Sequence, residues 1–177
     1  MIVSNPLDYL LDAQKNKYAI GAFNVNNMEF AQAVMAAHEK KNAPVILQLS
    51  SGARKYANTK MLVDIVKSLT EQYPRIPIIL HQDHGADFET CKSAIEAGFN
   101  SVMIDASSLP FEKNVELTQK VVTFAHARGV IVEAEIGTLG GIEEHVSVDA
   151  KSAHLTDPEE AKKFVENKVS IKITSYI

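Results

Sequence analysis

The chain has 177 residues, of which 46% are hydrophobic and 23% charged, a composition that can bury the core of one globular domain and excludes disorder. The net charge of −4, without a basic run, gives no footprint for nucleic acid or an anionic membrane. Residues 1–17 lack a signal-peptide pattern, no apolar stretch reaches the roughly 20 residues that cross a bilayer, and one cysteine cannot form an internal disulfide. We therefore expect a cytoplasmic protein with a small-molecule partner.

Five apolar segments predict strands, and amphipathic segments between them predict helices. The strands are predicted at residues 18–25, 44–50, 76–81, 101–105 and 130–136. Helices are predicted after the N-cap residues Asn27 and Asp87, near residues 62–69 and 117–125, and from Thr156, where Glu159 completes a capping box. This alternation predicts a parallel sheet with right-handed crossovers.

The first of these helices illustrates the periodicity used. Phe30, Ala33, Val34 and Ala37 recur at the i, i+3, i+4, i+7 spacing that places side chains on one helix face. We expect that face to be buried against the sheet.

Two architectures fit five strand and helix units: a complete doubly wound sheet or an incomplete (β/α)8 barrel. A doubly wound sheet gathers ligand residues at one switch point, whereas a barrel gathers them from the ends of many strands. Here every predicted strand has a polar residue at its C-terminal end: Asn24, then Gln48 and Ser50, Asp83 and His84, Asp105, and Glu133 and Glu135. This distribution favours the barrel.

The stretch HQDHG, residues 81–85, lies at the end of the third predicted strand. Across a barrel mouth His84 would face Asp105 and Glu135. Imidazole and carboxylate ligands suit zinc or a similar divalent ion. The sequence therefore predicts a metal site at His84, Asp105 and Glu135, with His81, His38 and His126 as structural or surface residues.

A long segment, residues 137–154, follows the fifth strand and has neither helical nor strand periodicity. Long loops are often functional lids, and Glu143 or Glu144 could act as a base when such a lid closes. A solvated charged loop would have the same composition.

Several segments resemble the class II, zinc-dependent fructose-bisphosphate aldolases, a family of (β/α)8 barrels. They are YAIGAFNVNNME, PVILQLSSGARKYA, HQDHGADFETCKSAI, SVMIDASSLPFEKNV and VEAEIGTLGGIEE. The resemblance extends from residue 18 to about residue 165, and tagatose-bisphosphate aldolases share most of it.

The resemblance implies a role for each matched residue. His84 is similar to a zinc ligand, and Asp105 and Glu135 resemble carboxylates at an alternative or second metal position. Asp83 resembles the acid that protonates the aldehyde, and Glu143 resembles the mobile-loop base. Asn24 and Ser50 look like substrate contacts, with Ser50 near a phosphate.

The implied reaction is reversible cleavage of fructose 1,6-bisphosphate to dihydroxyacetone phosphate and glyceraldehyde 3-phosphate in glycolysis and gluconeogenesis. The base would remove a proton next to the ketone carbonyl, and a zinc ion, or another divalent ion there or at a second position, would stabilise the resulting negative charge. The full-length family also implies a homo-oligomer.

The resemblance is lost at about residue 167. The family's two further zinc histidines, from strands six and seven, have no match, so we expect no three-histidine zinc site within this chain. Residues 1–167 are expected to be the N-terminal portion of a barrel truncated to about five strand and helix units. Residues 168–177 form an atypical tail that is poorly suited to a sixth barrel strand, as a truncation, a frameshift or an incomplete gene sequence would produce.

Three alternatives remain open for function. A tagatose-bisphosphate aldolase would use the same chemistry, and a non-catalytic fragment would keep the family's sequence without turnover. A metal-dependent hydrolase fits HQDHG but not the other segments.

Overall fold

A parallel sheet with helices between its strands forms the body of the protein. The computed structural model describes residues 1–138, 141–143, 146–148, 155–167 and 172–174. Its strands are β1 (Ala22–Asn24), β2 (Val45–Ser50), β3 (Ile78–Gly85), β4 (Ser101–Ile104), β5 (Ile131–Glu135), β6 (Gly141–Glu143), β7 (Val146–Val148) and β8 (Lys172–Thr174). Its helices are α1 (Pro6–Asn16), α2 (Met28–Lys41), α3 (Ser51–Ala57), α4 (Thr59–Gln72), α5 (Phe88–Glu96), α6 (Phe111–His126) and α7 (Pro158–Glu166).

The main sheet contains β1, β2, β3, β4, β5 and β8 in that order, and each neighbouring pair is parallel. Neighbours in the sheet thus follow chain order, as in the wall of a (β/α)8 barrel. A doubly wound sheet of the flavodoxin type would place β1 between β2 and β3. The strand order confirms the barrel and excludes that alternative.

The two faces of the sheet have different roles. In β2, Val45, Leu47 and Leu49 are fully buried and belong to the core that packs beneath the helices. The alternate residues Ile46 and Gln48 are half-buried and line a cavity of about 270 Å³ on the opposite face. This two-residue period determines which side chains can enter the candidate site.

Side-chain caps start the helices where the sequence predicts them. The Asn27 side chain accepts a hydrogen bond from the Phe30 amide at 2.9 Å, and the Asp87 side chain accepts one from the Thr90 amide at 2.7 Å. Both predicted N-caps are therefore confirmed.

The predicted buried stripe of α2 is wrong for three of its four residues, since only Val34 packs against the core. Its buried residues are Ala31, Met35 and His38, whereas Phe30 is 59% exposed. His38 can face inward because its Nδ1 lies 2.8 Å from the Val34 carbonyl oxygen and its ring packs edge-on against Phe23. A histidine whose polar atom has a partner thus occupies a position that the apolar pattern assigned to the exposed face.

Several element boundaries also differ from the prediction, and the first strand is shorter, Ala22–Asn24 instead of residues 18–25. The third strand continues beyond His81 to Gly85, so Asp83 and His84 lie within β3. The last helix is capped by Asp157, whose carboxylate accepts hydrogen bonds from the amides of Glu159 and Glu160. The Thr156 hydroxyl instead donates to the Ile136 carbonyl at 2.8 Å, so it is not the predicted cap.

The segments after β5 contain more strand than expected. Within the predicted aperiodic loop, β6 and β7 form an antiparallel pair. In the tail, residues 172–174 pair in parallel with β5, contrary to the expectation of a poor sixth strand. Ladder hydrogen bonds join backbone groups, so an alternating side-chain pattern does not prevent such pairing. Within the described residues, no helix is long and apolar enough to cross a membrane.

Candidate functional site

A bulge near the end of β3 places two consecutive side chains in the same cavity. Strict alternation directs Ile79, His81 and Asp83 toward the cavity and would return His84 to the helix side. The β3–β4 register shifts between Gln82 and Gly85, and His84 has a φ of 44°. As a result, Asp83 and His84 both line the cavity.

Glycine at position 85 allows β4 to approach this bulge closely. The Asp105 amide donates a hydrogen bond to the Gly85 carbonyl at 2.9 Å. A Cβ on residue 85 would lie 2.6 Å from the Met103 carbonyl oxygen and 2.7 Å from Cys91 Sγ, both too close for a real Cβ. The glycine thus brings the end of β3 against the strand that carries Asp105.

His84, Asp105 and Glu135, from three neighbouring strands or strand ends, meet at this point. His84 Nδ1 lies 3.0 Å from Asp105 Oδ2 and 4.0 Å from Glu135 Oε2. Each residue offers one ligand atom, and these atoms all lie within 4.8 Å of one another. Asp105 and Glu135 are each only 3% exposed. The structure therefore brings together the three residues that the sequence predicts as a metal site.

The cluster changes the proton affinity of its members. The hydrogen bond from His84 to Asp105 is the main reason that the pKa of His84 is raised from 6.5 to about 9, against the opposing effect of burial. Burial alone would raise the pKa of Asp105, but hydrogen bonds from His84 and Ser107 outweigh it and lower that pKa. In this arrangement a cation, here the protonated imidazole, is held between buried carboxylates.

Asn24 and Ser50 lie beside this cluster on β1 and β2. Asn24 Nδ2 donates to Asp83 Oδ2 at 2.6 Å, which fixes the carboxylate that shares the cavity with His84. Ser50 pairs with Asp83 in the β2–β3 register, and its Oγ accepts a hydrogen bond from the Ala53 amide at 3.1 Å. Ser50 is thus the N-cap of α3, and its predicted phosphate contact stays a prediction.

The predicted base lies on the β6–β7 hairpin. Glu143 pairs with Val146 in that hairpin, while Glu144 lies outside the described residues.

The remaining histidines named above have other surroundings. His81 is buried, and its Nδ1 lies 2.7 Å from Ser101 Oγ. His126 is exposed at the end of α6.

Sequence reasoning missed the groups that support the site from behind. Ser107 donates two hydrogen bonds to Asp105 Oδ1, from its amide at 3.2 Å and from its hydroxyl at 2.7 Å. Asn114 of α6 donates to the Glu135 carbonyl at 2.8 Å. Gln82, fully buried on the helix side of β3, bonds to Arg54. The signal available in the sequence was Gln82, a polar residue inside an apolar strand, because a buried side-chain amide requires hydrogen-bond partners.

The donor set fits a divalent metal ion. Zinc takes imidazole nitrogen and carboxylate oxygen at about 2.0–2.2 Å in tetrahedral geometry, which places its ligand atoms roughly 3.3–3.6 Å apart. The three ligand atoms of the cluster, all within 4.8 Å of one another, would therefore close in by up to about 1 Å around an ion. One imidazole and two carboxylates also match the ligand preferences of other first-row divalent ions.

Comparison with protein families assigns most of the chain, including β1 to β5, to one family. The family described as fructose-bisphosphate aldolase class II matches residues 4–172. The chain is 52% identical over 159 residues to a fructose-bisphosphate aldolase of Helicobacter pylori strain 26695, and 54% identical over 155 residues to one of Giardia intestinalis. The alignments cover 90% and 88% of this chain, and 52% and 47% of the relatives. The chain thus spans about half the length of the curated relatives it matches.

Solved structures give the same result for the fold. The YdjI aldolase of Escherichia coli K12 superposes with a TM-score of 0.79 at 34% identity, covering 94% of this chain and 61% of that one. The fructose-bisphosphate aldolase of Campylobacter jejuni superposes with a TM-score of 0.81 at 28% identity, covering 98% and 57%. The parallel sheet therefore corresponds to the wall of an aldolase barrel.

Proposed function

The chain belongs to the class II fructose-bisphosphate aldolase family, and from this premise we propose that it serves metal-dependent aldol cleavage of a ketose bisphosphate. The substrate proposed is fructose 1,6-bisphosphate, and the products are dihydroxyacetone phosphate and glyceraldehyde 3-phosphate. The observation that carries the proposal is the His84–Asp105–Glu135 cluster beside the hydrogen-bonded Asn24–Asp83 pair.

The family is metal-dependent, and His84, Asp105 and Glu135 are the described residues that would hold the ion. We propose zinc, which when bound would act as a Lewis acid and stabilise negative charge next to the ketone carbonyl. The buried carboxylates favour a cation at this position for the same reason that they favour protonated His84.

Asp83 and Glu143 are proposed to move protons. Asp83 would hold the proton that the aldehyde oxygen accepts or returns, and Asn24 would orient its carboxylate through the 2.6 Å hydrogen bond. Glu143, which resembles the family's mobile-loop base, would remove the proton next to the ketone carbonyl; it lies on β6, the next strand in the chain after β5. Asn24 and Ser50 would also contact the substrate, with Ser50 near a phosphate.

The experiment is a metal-binding and cleavage assay on the 177-residue chain. We expect one zinc or cobalt ion per chain, lost in His84→Ala, and any cleavage of fructose 1,6-bisphosphate by this chain should be abolished by a chelator. An exposed histidine variant, His126→Ala, is the matched control and should bind metal normally.

The same assay separates the alternatives. Faster cleavage of tagatose 1,6-bisphosphate would assign the epimer instead. Metal binding by folded protein without cleavage of either sugar would contradict turnover by this chain and favour a non-catalytic member of the family.

We also propose a cytoplasmic homo-oligomer. Phe23, Met28 and Phe30 are 41%, 48% and 59% exposed near the start of α2, which supports association through that surface. Light scattering coupled to gel filtration would measure the mass, and a monomer at micromolar concentration would contradict the proposal.

A further inference from the structure

A buried pair of polar side chains lies behind the site, on the helix side of β3. Arg54 of α3 donates through Nη1 to Gln82 Oε1, and the Gln82 side chain is fully buried. Arg54 Nη2 donates to Ser93 Oγ at 2.9 Å and Arg54 Nε donates to Thr59 Oγ1 at 3.1 Å. The guanidinium thus joins α3, α4 and α5 to the back of the strand that carries Asp83 and His84.

The other end of the Gln82 amide reaches the backbone of the site. Gln82 Nε2 donates to the Asp83 carbonyl oxygen at 2.8 Å. That carbonyl belongs to the peptide bond between Asp83 and His84, so its direction is coupled to the φ of His84, which is 44°. It also lies within the bulge, where the β3–β4 register is interrupted between Gln82 and Gly85. A side-chain amide therefore contacts the backbone at the point where regular β3–β4 pairing fails.

Arg54 fixes the orientation of that amide. A glutamine amide can present either its oxygen or its nitrogen, and a buried amide must satisfy both. Because Arg54 only donates hydrogen bonds, it selects the Gln82 oxygen and leaves the nitrogen to face the Asp83 carbonyl. The Arg54 guanidinium also lies over the Phe99 ring, 5.5 Å from its centroid, which restricts its movement.

We propose that Arg54 and Gln82 are positioning residues that hold the Asp83–His84 peptide in the bulged conformation, so that both side chains enter the same cavity. Without this hydrogen bond, β3 would regain regular alternation and His84 would turn toward the helices, away from Asp105. Neither residue touches the cavity that Asp83 and His84 line. Their effect on metal binding rests on the function proposed above, whereas their effect on the backbone does not.

The test uses Gln82→Glu in the full chain. Glutamate keeps the size of the side chain and the acceptor for Arg54, but it cannot donate to the Asp83 carbonyl. The matched control is Gln119→Glu, since Gln119 Nε2 donates to the Asn167 carbonyl at 2.8 Å on the exposed side of α6. Circular dichroism and thermal melting verify that each variant folds.

Two readouts decide the outcome. Three-bond couplings in isotope-labelled protein measure the φ of His84, and cobalt titration measures metal affinity. In Gln82→Glu we expect φ to leave the positive region and the cobalt Kd to rise about 10- to 100-fold, as when outer partners of metal ligands are removed. Gln119→Glu should change neither quantity. A positive φ with a Kd within about twofold of the parent chain would overturn the proposal.

A second variant keeps the test decisive if Gln82→Glu fails to fold. Arg54→Met combined with Gln82→Leu replaces both polar groups by apolar side chains of similar size, so neither leaves the other buried and unpaired, while the Asp83 carbonyl loses its donor as in Gln82→Glu. The expected φ and Kd are the same as for Gln82→Glu. If the parent chain binds no cobalt, the proposed metal function fails, while the φ of His84 in the variants still decides the positioning role.

Discussion

His84 combines an uncommon backbone conformation with a buried ion pair. A positive φ is rare for residues other than glycine, although histidine adopts it more readily than branched residues, and such conformations concentrate at functional sites. Its imidazole would otherwise face the helices. The conformation of His84 thus allows two consecutive residues of β3, Asp83 and His84, to line the same cavity.

Asp105 is expected to control the proton affinity of His84. The hydrogen bond to the Asp105 carboxylate is the largest cause of the raised His84 pKa. In Asp105→Asn the acceptor is no longer charged, so the pKa of His84 should fall from about 9 toward 6.5. Histidine proton shifts followed by NMR across this pH range in metal-free protein would measure it. Glu133→Gln, on the neighbouring strand β5, is the control and should leave the pKa of His84 near 9. An unchanged pKa in Asp105→Asn would contradict the hydrogen bond.

Gly85→Ala is expected to lower the free energy of unfolding by about 1–3 kcal/mol, the usual cost of overpacking. The new Cβ would meet the Met103 carbonyl oxygen at 2.6 Å, and a backbone atom cannot move aside cheaply. Denaturant unfolding would measure the change. Gly21→Ala is the control, because its Cβ meets the exposed ring of Phe23, which can rotate away. Equal costs at both positions would count against a special packing role for Gly85.

At the scale of elements, α5 follows the site-bearing strand and depends on a local cap. Asp87 lies two residues after the bulge ends at Gly85, and its carboxylate accepts a hydrogen bond from the Thr90 amide at 2.7 Å. The cap thereby fixes the residue at which α5 begins. Cys91 of this helix packs against the end of β3.

Asp87→Ala should lower the free energy of unfolding by about 1 kcal/mol, because an orphan helix amide loses its acceptor. Asp87→Asn retains an acceptor oxygen and should lose much less. Urea denaturation of the three proteins would measure both changes. Equal losses in the two variants would indicate that the carboxylate charge, not the cap, stabilises the helix.

Prediction from sequence succeeds at this scale where the cause is local. Asn27 and Asp87 are recognisable as caps because one side chain and one nearby amide decide the structure. The inward turn of His84 was not predictable from a two-residue period, since it depends on Gly85 approaching β4 and on Gln82 behind the strand. The cap at Asp157 was missed because Thr156 found a partner elsewhere, in the Ile136 carbonyl.

At the scale of the whole molecule, the sequence predicted the sheet better than its supporting contacts. Polar residues at the ends of five strands indicated a barrel, because only neighbouring parallel strands bring so many ends to one mouth. The cluster of His84, Asp105 and Glu135 followed from that arrangement. The contacts of Arg54, Gln82 and Asn114 are long-range side-chain choices that periodicity does not encode.

Because of Cys91, we expect the free energy of unfolding to fall as the pH becomes alkaline. Burial raises the pKa of its thiol from 9.0 to about 12. The unfolded chain therefore loses this proton first, so the contribution to stability is complete below pH 9 and falls as pH rises toward 12. We expect the parent chain to lose up to about 1.4 kcal/mol per pH unit within this window relative to Cys91→Ala. Chemical unfolding at pH 8, 9 and 10 would measure this difference, and a constant difference would contradict the buried neutral thiol.

The chain-order sheet has a consequence for how the protein is made. Each strand of the main sheet pairs with the strand synthesised just before it among β1 to β5, so every new unit can dock on a surface that has already left the ribosome. His84, Asp105 and Glu135 lie on consecutive units, and all three are within the first 135 residues of the chain. The cluster can therefore assemble during translation, in the order in which its three residues appear.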